Sequence, residues 1–179
     1  MAKLIFKKDG EENISVVHPV ARDVIERERG VAFANDADYM AFVQERSHPK
    51  DENEVDIPGS WRQCEEADLP ASREFRDAWV DNQPGTQIDI DCARAEALVR
   101  AQMAAEHKAN LKQLNEDLEV AQDMNDAAEV ARLNAAINAK KGALAAQMAV
   151  LNAMNNAGKV NDESALQALR DARDAYSNA

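Results

Sequence analysis

Cysteine occurs only twice in this chain, at Cys64 and Cys92, 28 residues apart and with no CxxC partner for either. A single bridge or two reduced thiols both fit that count, and reduced thiols suit a protein made in the cytosol. Proline and aromatic residues are scarce and unevenly placed. All five prolines lie at or before Pro84, and seven of the eight aromatics lie at or before Trp79. No stretch approaches ~18 uninterrupted apolar residues, and the start turns charged after Leu4, Ile5 and Phe6. Neither a membrane span nor a signal peptide is expected, so the protein is expected to be soluble.

Positive charge is also short. The net charge is −12, with 11 basic and 20 acidic side chains in residues 1–90 and 10 and 13 in residues 91–179. An acidic chain without a Lys/Arg cluster repels phosphate backbones, so direct nucleic-acid binding is not expected. Phosphate loops, nucleophile elbows, HExxH and EF-hand patterns are missing. His18 precedes Pro19, His48 sits in a polar loop and His107 falls on a helix stripe, where a packing role fits better than metal ligation. The carboxylates Asp51, Glu52, Glu54 and Asp56 form a charge run of the solvated-loop type. No catalytic, cofactor-binding or metal residue is nominated, and an enzyme is not expected.

What the chain has in abundance is alanine, with 20 in residues 91–157 alone. Composition changes near residue 85, which divides the chain into a small α+β domain at 1–82, a linker at 83–90, a helical hairpin at 91–157 and a C-terminal helix at 158–179. In the first part, Leu4–Phe6 and Ile14–Val17 read as strands around an Asp9-Gly10 turn, with the loop running as far as Asn13. Pro19 suits the first turn of a helix over 20–29 that Gly30 stops. A second helix starts at Asn35 or Asp36, turns Tyr39, Met40 and Val43 inward, and ends before Pro49. A third strand over 60–65 is anchored by Trp61, and a short helix after Pro70 sets Phe75 and Trp79 one turn apart. Arg73 and Asp77 are then placed to pair on the outside of a structural clasp.

The hairpin is predicted as two helices of similar length, 91–123 and 126–157, broken at Met124-Asn125-Asp126; one continuous helix is the competing reading. Asp126 with Glu129 resembles a capping box, and Gly158 suits the position past the second helix. The first helix carries the stripe Ala93, Ala97, Ala104, His107, Leu111, Leu114, Leu118 and Ala121, a near-heptad coiled-coil spacing interrupted by Arg100. At about 100° per residue, Val130, Leu133, Ile137, Leu144, Met148 and Leu151 form the core stripe of the second helix. On its other side Ala131, Ala135, Ala139, Gly142, Ala146, Ala149 and Ala153 form a flank without charge or amide. Two readings stand: a seam that seats another helix closely, or alanine covering a solvated face as a good helix former. A last helix capped by Asn161 or Asp162 aligns Ala165, Leu169, Ala172 and Tyr176, and either folds back on the hairpin or docks on a neighbour.

The run DIPGSWRQCEEADLPASREFRDAW, residues 56–79, resembles a motif of small proteins encoded by tailed bacteriophages and prophages, often near tail-fibre genes. Residues 1–19 and IDIDCARAEALVRAQ match the strand-turn-strand opening and alanine-rich helix of that family. Lys140 and Lys141 stand where a different basic segment is usual. The resemblance implies a virion structural protein of the tail, baseplate or tail-fibre region, self-associating and bound to other phage tail or fibre proteins. A tail or tail-fibre assembly chaperone not retained in the virion is the alternative. No cofactor is implied.

Overall fold

The computed structural model describes residues 3–10, 14–81 and 87–179. It is an α+β chain in two compact units, Met1–Ile90 and Asp91–Ala179. The expected turn over 83–86 and the end of the first loop at Asn13 lie outside the described residues.

In the first unit, β1 (Lys3–Lys8) is the centre of an antiparallel sheet of order β2-β1-β3, with β2 at Ile14–Val17 and β3 at Gly59–Cys64. The register pairs Leu4 with Val17 and Phe6 with Trp61, so these four side chains share one face. Helices α1 (Arg22–Arg29) and α2 (Asp36–Ser47) cover that face. Leu4, Phe33, Tyr39, Met40 and Val43 form its core, with Ile25, Phe42 and Trp61 packed against them. α1 ends at Gly30, whose φ of 69° is open to glycine without strain. The Asn35 side chain accepts the Asp38 N–H and starts α2. Pro19 lies outside α1, which begins three residues later. Gly59 is obligatory for a different reason: a Cβ there would run into the Phe6 ring and lie 2.5 Å from the Lys7 carbonyl oxygen.

The second sheet face carries Ile5, Val16 and Arg62. Arg62 makes a two-pronged pair with Asp81, at 2.7 and 2.9 Å, which holds the segment leading to residue 81 beside that face. The helix expected after Pro70 is not there. Its place is taken by a loop, the single turn Arg76–Ala78, and β4 (Trp79–Val80). Phe75 and Trp79 are buried as expected, but from a turn and a strand instead of one helix face. Arg73 reaches Glu66 at 3.0 Å instead of pairing with Asp77. β5 (Asp89–Ile90) pairs with β4, so residues 89–90 are strand and not linker.

The second unit is three helices: α3 (Cys92–Asp123), α4 (Ala127–Ala153) and α5 (Glu163–Ser177). Each starts on an aspartate whose side chain accepts early backbone N–H groups, Asp91, Asp126 and Asp162. α3 closes with Asn125 at φ 54°. Asp126 N–H donates to Ala121 C=O and Asn125 N–H to Gln122 C=O, the paired bonds of a Schellman ending. The break at 124–126 therefore separates two helices, and the continuous-helix reading fails. α5 folds back on the hairpin, packing against both α3 and α4. It runs parallel to α3: Asp91 bridges to Val160 at one end, and His107 meets Tyr176 at the other.

Two expectations about the hairpin are corrected. α4 ends at Ala153, four residues early, because Asn156 is buried and donates its Nδ2 to Glu96 Oε2 at 2.9 Å. Gly158, at φ 71°, belongs to the turn that follows, from which Lys159 C=O accepts the Cys92 N–H. On α3 the inward face over its first half is Cys92, Ala95, Val99 and Met103, whereas Ala93, Ala97 and Ala104 are exposed. Larger apolar side chains at helical spacing bury more surface than alanine methyls and set the rotation of the helix. Arg100 then lies beside the stripe and pairs with Glu96 at 2.6 Å, interrupting nothing.

Candidate functional site

α4 is about 40 Å long at ~1.5 Å per residue, and its two faces differ sharply. Leu133, Ile137 and Leu151 are buried, and Val130, Leu144 and Met148 are half-buried. On the other side Ala131, Ala135, Ala139, Gly142, Ala146, Ala149 and Ala153 are all exposed, together with Ala128 and Ala157 beyond them. The seven predicted residues thus lie in one exposed strip along α4. Val150, 48% exposed, widens the strip.

α3 bears a second exposed set that sequence reasoning missed: Ala93, Ala97, Ala101, Ala104 and Ala105. The signal was available in the Cys92, Ala95, Val99, Met103 spacing, which turns these alanines outward.

α5 spans about 22 Å and covers only the part of the hairpin near its ends. Tyr176, fully buried, marks the far limit of that cover, with Lys140 above its ring at 5.6 Å and His107 Nδ1 at 3.1 Å from its hydroxyl. Burial pushes the Tyr176 hydroxyl pKa up. Beyond that level the hairpin is two helices thick, and its buried residues are Ala121, Leu133 and Ile137. At the tip Met124 is 75% and Val120 57% exposed, around a shallow depression shared with Asp117, Ala121, Asp126 and Glu129.

Charge is segregated along this arm. Residues 113–129 hold six carboxylates and no cation, whereas residues 130–161 hold Arg132, Lys140, Lys141 and Lys159 and no carboxylate. The tip is therefore acidic and the α4 shaft basic.

The remaining reactive side chains are occupied structurally. Cys64 and Cys92 are free, buried thiols whose pKa values are raised by burial, which disfavours the thiolate. His48 packs against the Phe6 and Trp61 rings. In the exposed 51–55 loop, the Asp51 carboxylate accepts the Asn53 and Val55 N–H groups, which hold its pKa below the usual range. Among the described residues no group of three or more His, Cys, Asp or Glu side chains is placed to hold a metal ion. No helix among them is long and apolar enough to cross a membrane.

Comparison with protein-family models, with curated proteins and with solved structures returns no match to this chain.

Proposed function

We propose that this chain is a non-enzymatic structural component of a tailed phage particle, in the tail, baseplate or fibre-attachment region. It acts by packing its helical hairpin against further copies of itself and against other tail or fibre proteins. It is made in the bacterial cytoplasm and carried into the virion. The observation behind this reading is the outer face of α4, alanine and glycine over seven helical positions and bare along its whole length. Solvated helix faces ordinarily carry Lys, Glu or Gln, and small side chains let a second helix approach closely enough for many weak contacts to add.

The charge pattern favours side-by-side copies pointing in opposite directions, because each acidic tip then lies along a basic shaft. The phage setting rests on the resemblance of residues 56–79. Mass spectrometry of purified particles of the phage that encodes the chain tests it: a fixed copy number per particle supports a structural protein. Abundance in infected cells with none in the particle would replace this reading with an assembly chaperone.

A further inference from the structure

β2 is an edge strand. Among the described residues it pairs only with β1, and no other described strand lies on its outer side. Edge strands present unpaired N–H and C=O groups that accept another strand, and natural proteins commonly protect them with lysine, proline or a bulge. β2 reads Ile-Ser-Val-Val over Ile14–Val17 and carries no charge.

A depression adjoins each face of this edge. On the helix side an apolar groove of about 170 Å³ is lined by Val17, Val20, Ile25, Phe42 and Val43, with Arg46 at its rim. That volume suits one branched aliphatic side chain. On the other side a polar depression of about 270 Å³ is lined by Ile14, Ser15, Val16, Arg76 and Asp77. Successive residues of a strand point to opposite faces, so a strand laid beside β2 would fill the two depressions alternately.

We propose that the edge of β2 receives an extended segment of another protein, with an aliphatic residue beside Val17 entering the groove and an acidic residue beside Val16 meeting Arg76. The first unit is acidic as a whole, yet the charges around this edge favour the assignment. Lys3, Arg73 and Arg76 face Glu66 and Asp77 there, and Glu66 is already paired with Lys3 at 3.2 Å and with Arg73 at 3.0 Å. The His18 pKa is lowered first by burial, then by Lys3 and Arg73. With Lys3 and Arg73 both paired to Glu66, Arg76 is the cation that lines the depression beside β2 and would meet the acidic residue.

Isotope-labelled full-length chain titrated with a short peptide of alternating valine and glutamate, with leucine at its centre, tests this by amide NMR. Saturable shifts confined to residues 14–20, 42–47 and 76–77 are expected. The lysine counterpart of the peptide should bind about three- to five-fold more weakly, the size expected for exposed charge pairs. Arg76→Glu should reverse that preference, and Val20→Asn should weaken both peptides. Arg76 and Val20 are exposed side chains, so both variants should fold. Absence of shifts at β2 with millimolar peptide, or equal affinity for the two peptides, would overturn the proposal.

Discussion

His107 and Tyr176, 69 positions apart, share a hydrogen bond of 3.1 Å that fixes the last turn of α5 against the middle of α3. Next to it Ser177 Oγ donates to Glu106 Oε2 at 2.9 Å. This contact is the border between a three-helix bundle and a two-helix arm. Tyr176→Phe keeps the ring and strands the His107 partner, for an expected loss of about 1 kcal/mol. Tyr176→Ala also empties the site and should cost about 3–5 kcal/mol. Urea denaturation of the two variants measures both, and a Tyr176→Phe loss near zero would show that the hydroxyl bond carries no separate share.

The arm beyond that border should open more readily than the bundle. Its core is Ala121, Leu133 and Ile137, whereas the bundle buries Val99, Met103, Leu151, Leu166, Leu169 and Tyr176. Native-state hydrogen exchange is expected to show lower protection for amides over 111–121 and 130–139 than over 95–107 and 144–151. Uniform protection along α3 would contradict it.

Asn156 stops α4 by a bond to a residue 60 positions away. Asn156→Ala removes the Glu96 partner and the reason for the stop. The expected result is α4 extended toward residue 157, seen in backbone chemical shifts, with a loss of about 1–3 kcal/mol.

Acidification should destabilise the fold in two stages. His18 has a lowered folded pKa, so its contribution is complete above about 6.5 and is lost as pH falls through the folded value. The Asp162 carboxylate accepts the Ala165 N–H and lies near Lys159, and its pKa is depressed chiefly by that N–H. Its contribution is present above about 4 and disappears below it, as do those of Glu26 beside Arg22 and Glu129 beside Arg132. Urea midpoints across pH should fall first near neutrality and again in acid. Asp162→Asn should flatten the acid limb.

Elements set by local chemistry were legible in the sequence. The Asp9-Gly10 hairpin, the caps at Asn35, Asp126 and Asp162, and the buried faces of α2 and α5 needed only neighbours a few residues away. Alanine is where legibility failed. On α3 it fits the inside and the outside equally, so the heptad-like run through Ala93, Ala97 and Ala104 does not mark the buried face, which Val99 and Met103 set. The end of α4 depends on Glu96, and the 71–79 segment follows the sheet face that Arg62 ties to Asp81; neither partner is local. All seven nominated seam residues lie on one exposed strip, because the larger apolar side chains of α4 fix which way the helix turns.

The most direct test of the outer α4 face is the mass in solution, by light scattering, of the wild-type chain and of Ala139→Leu plus Ala146→Leu. Both substitutions keep a good helix former, so circular dichroism should be nearly unchanged. The wild type is expected to exceed its 19.7 kDa monomer mass and to dissociate on dilution, and the bulkier pair should bring dissociation at higher concentration. A wild-type mass of 19.7 kDa at every concentration, or one that the two leucines leave untouched, would contradict it.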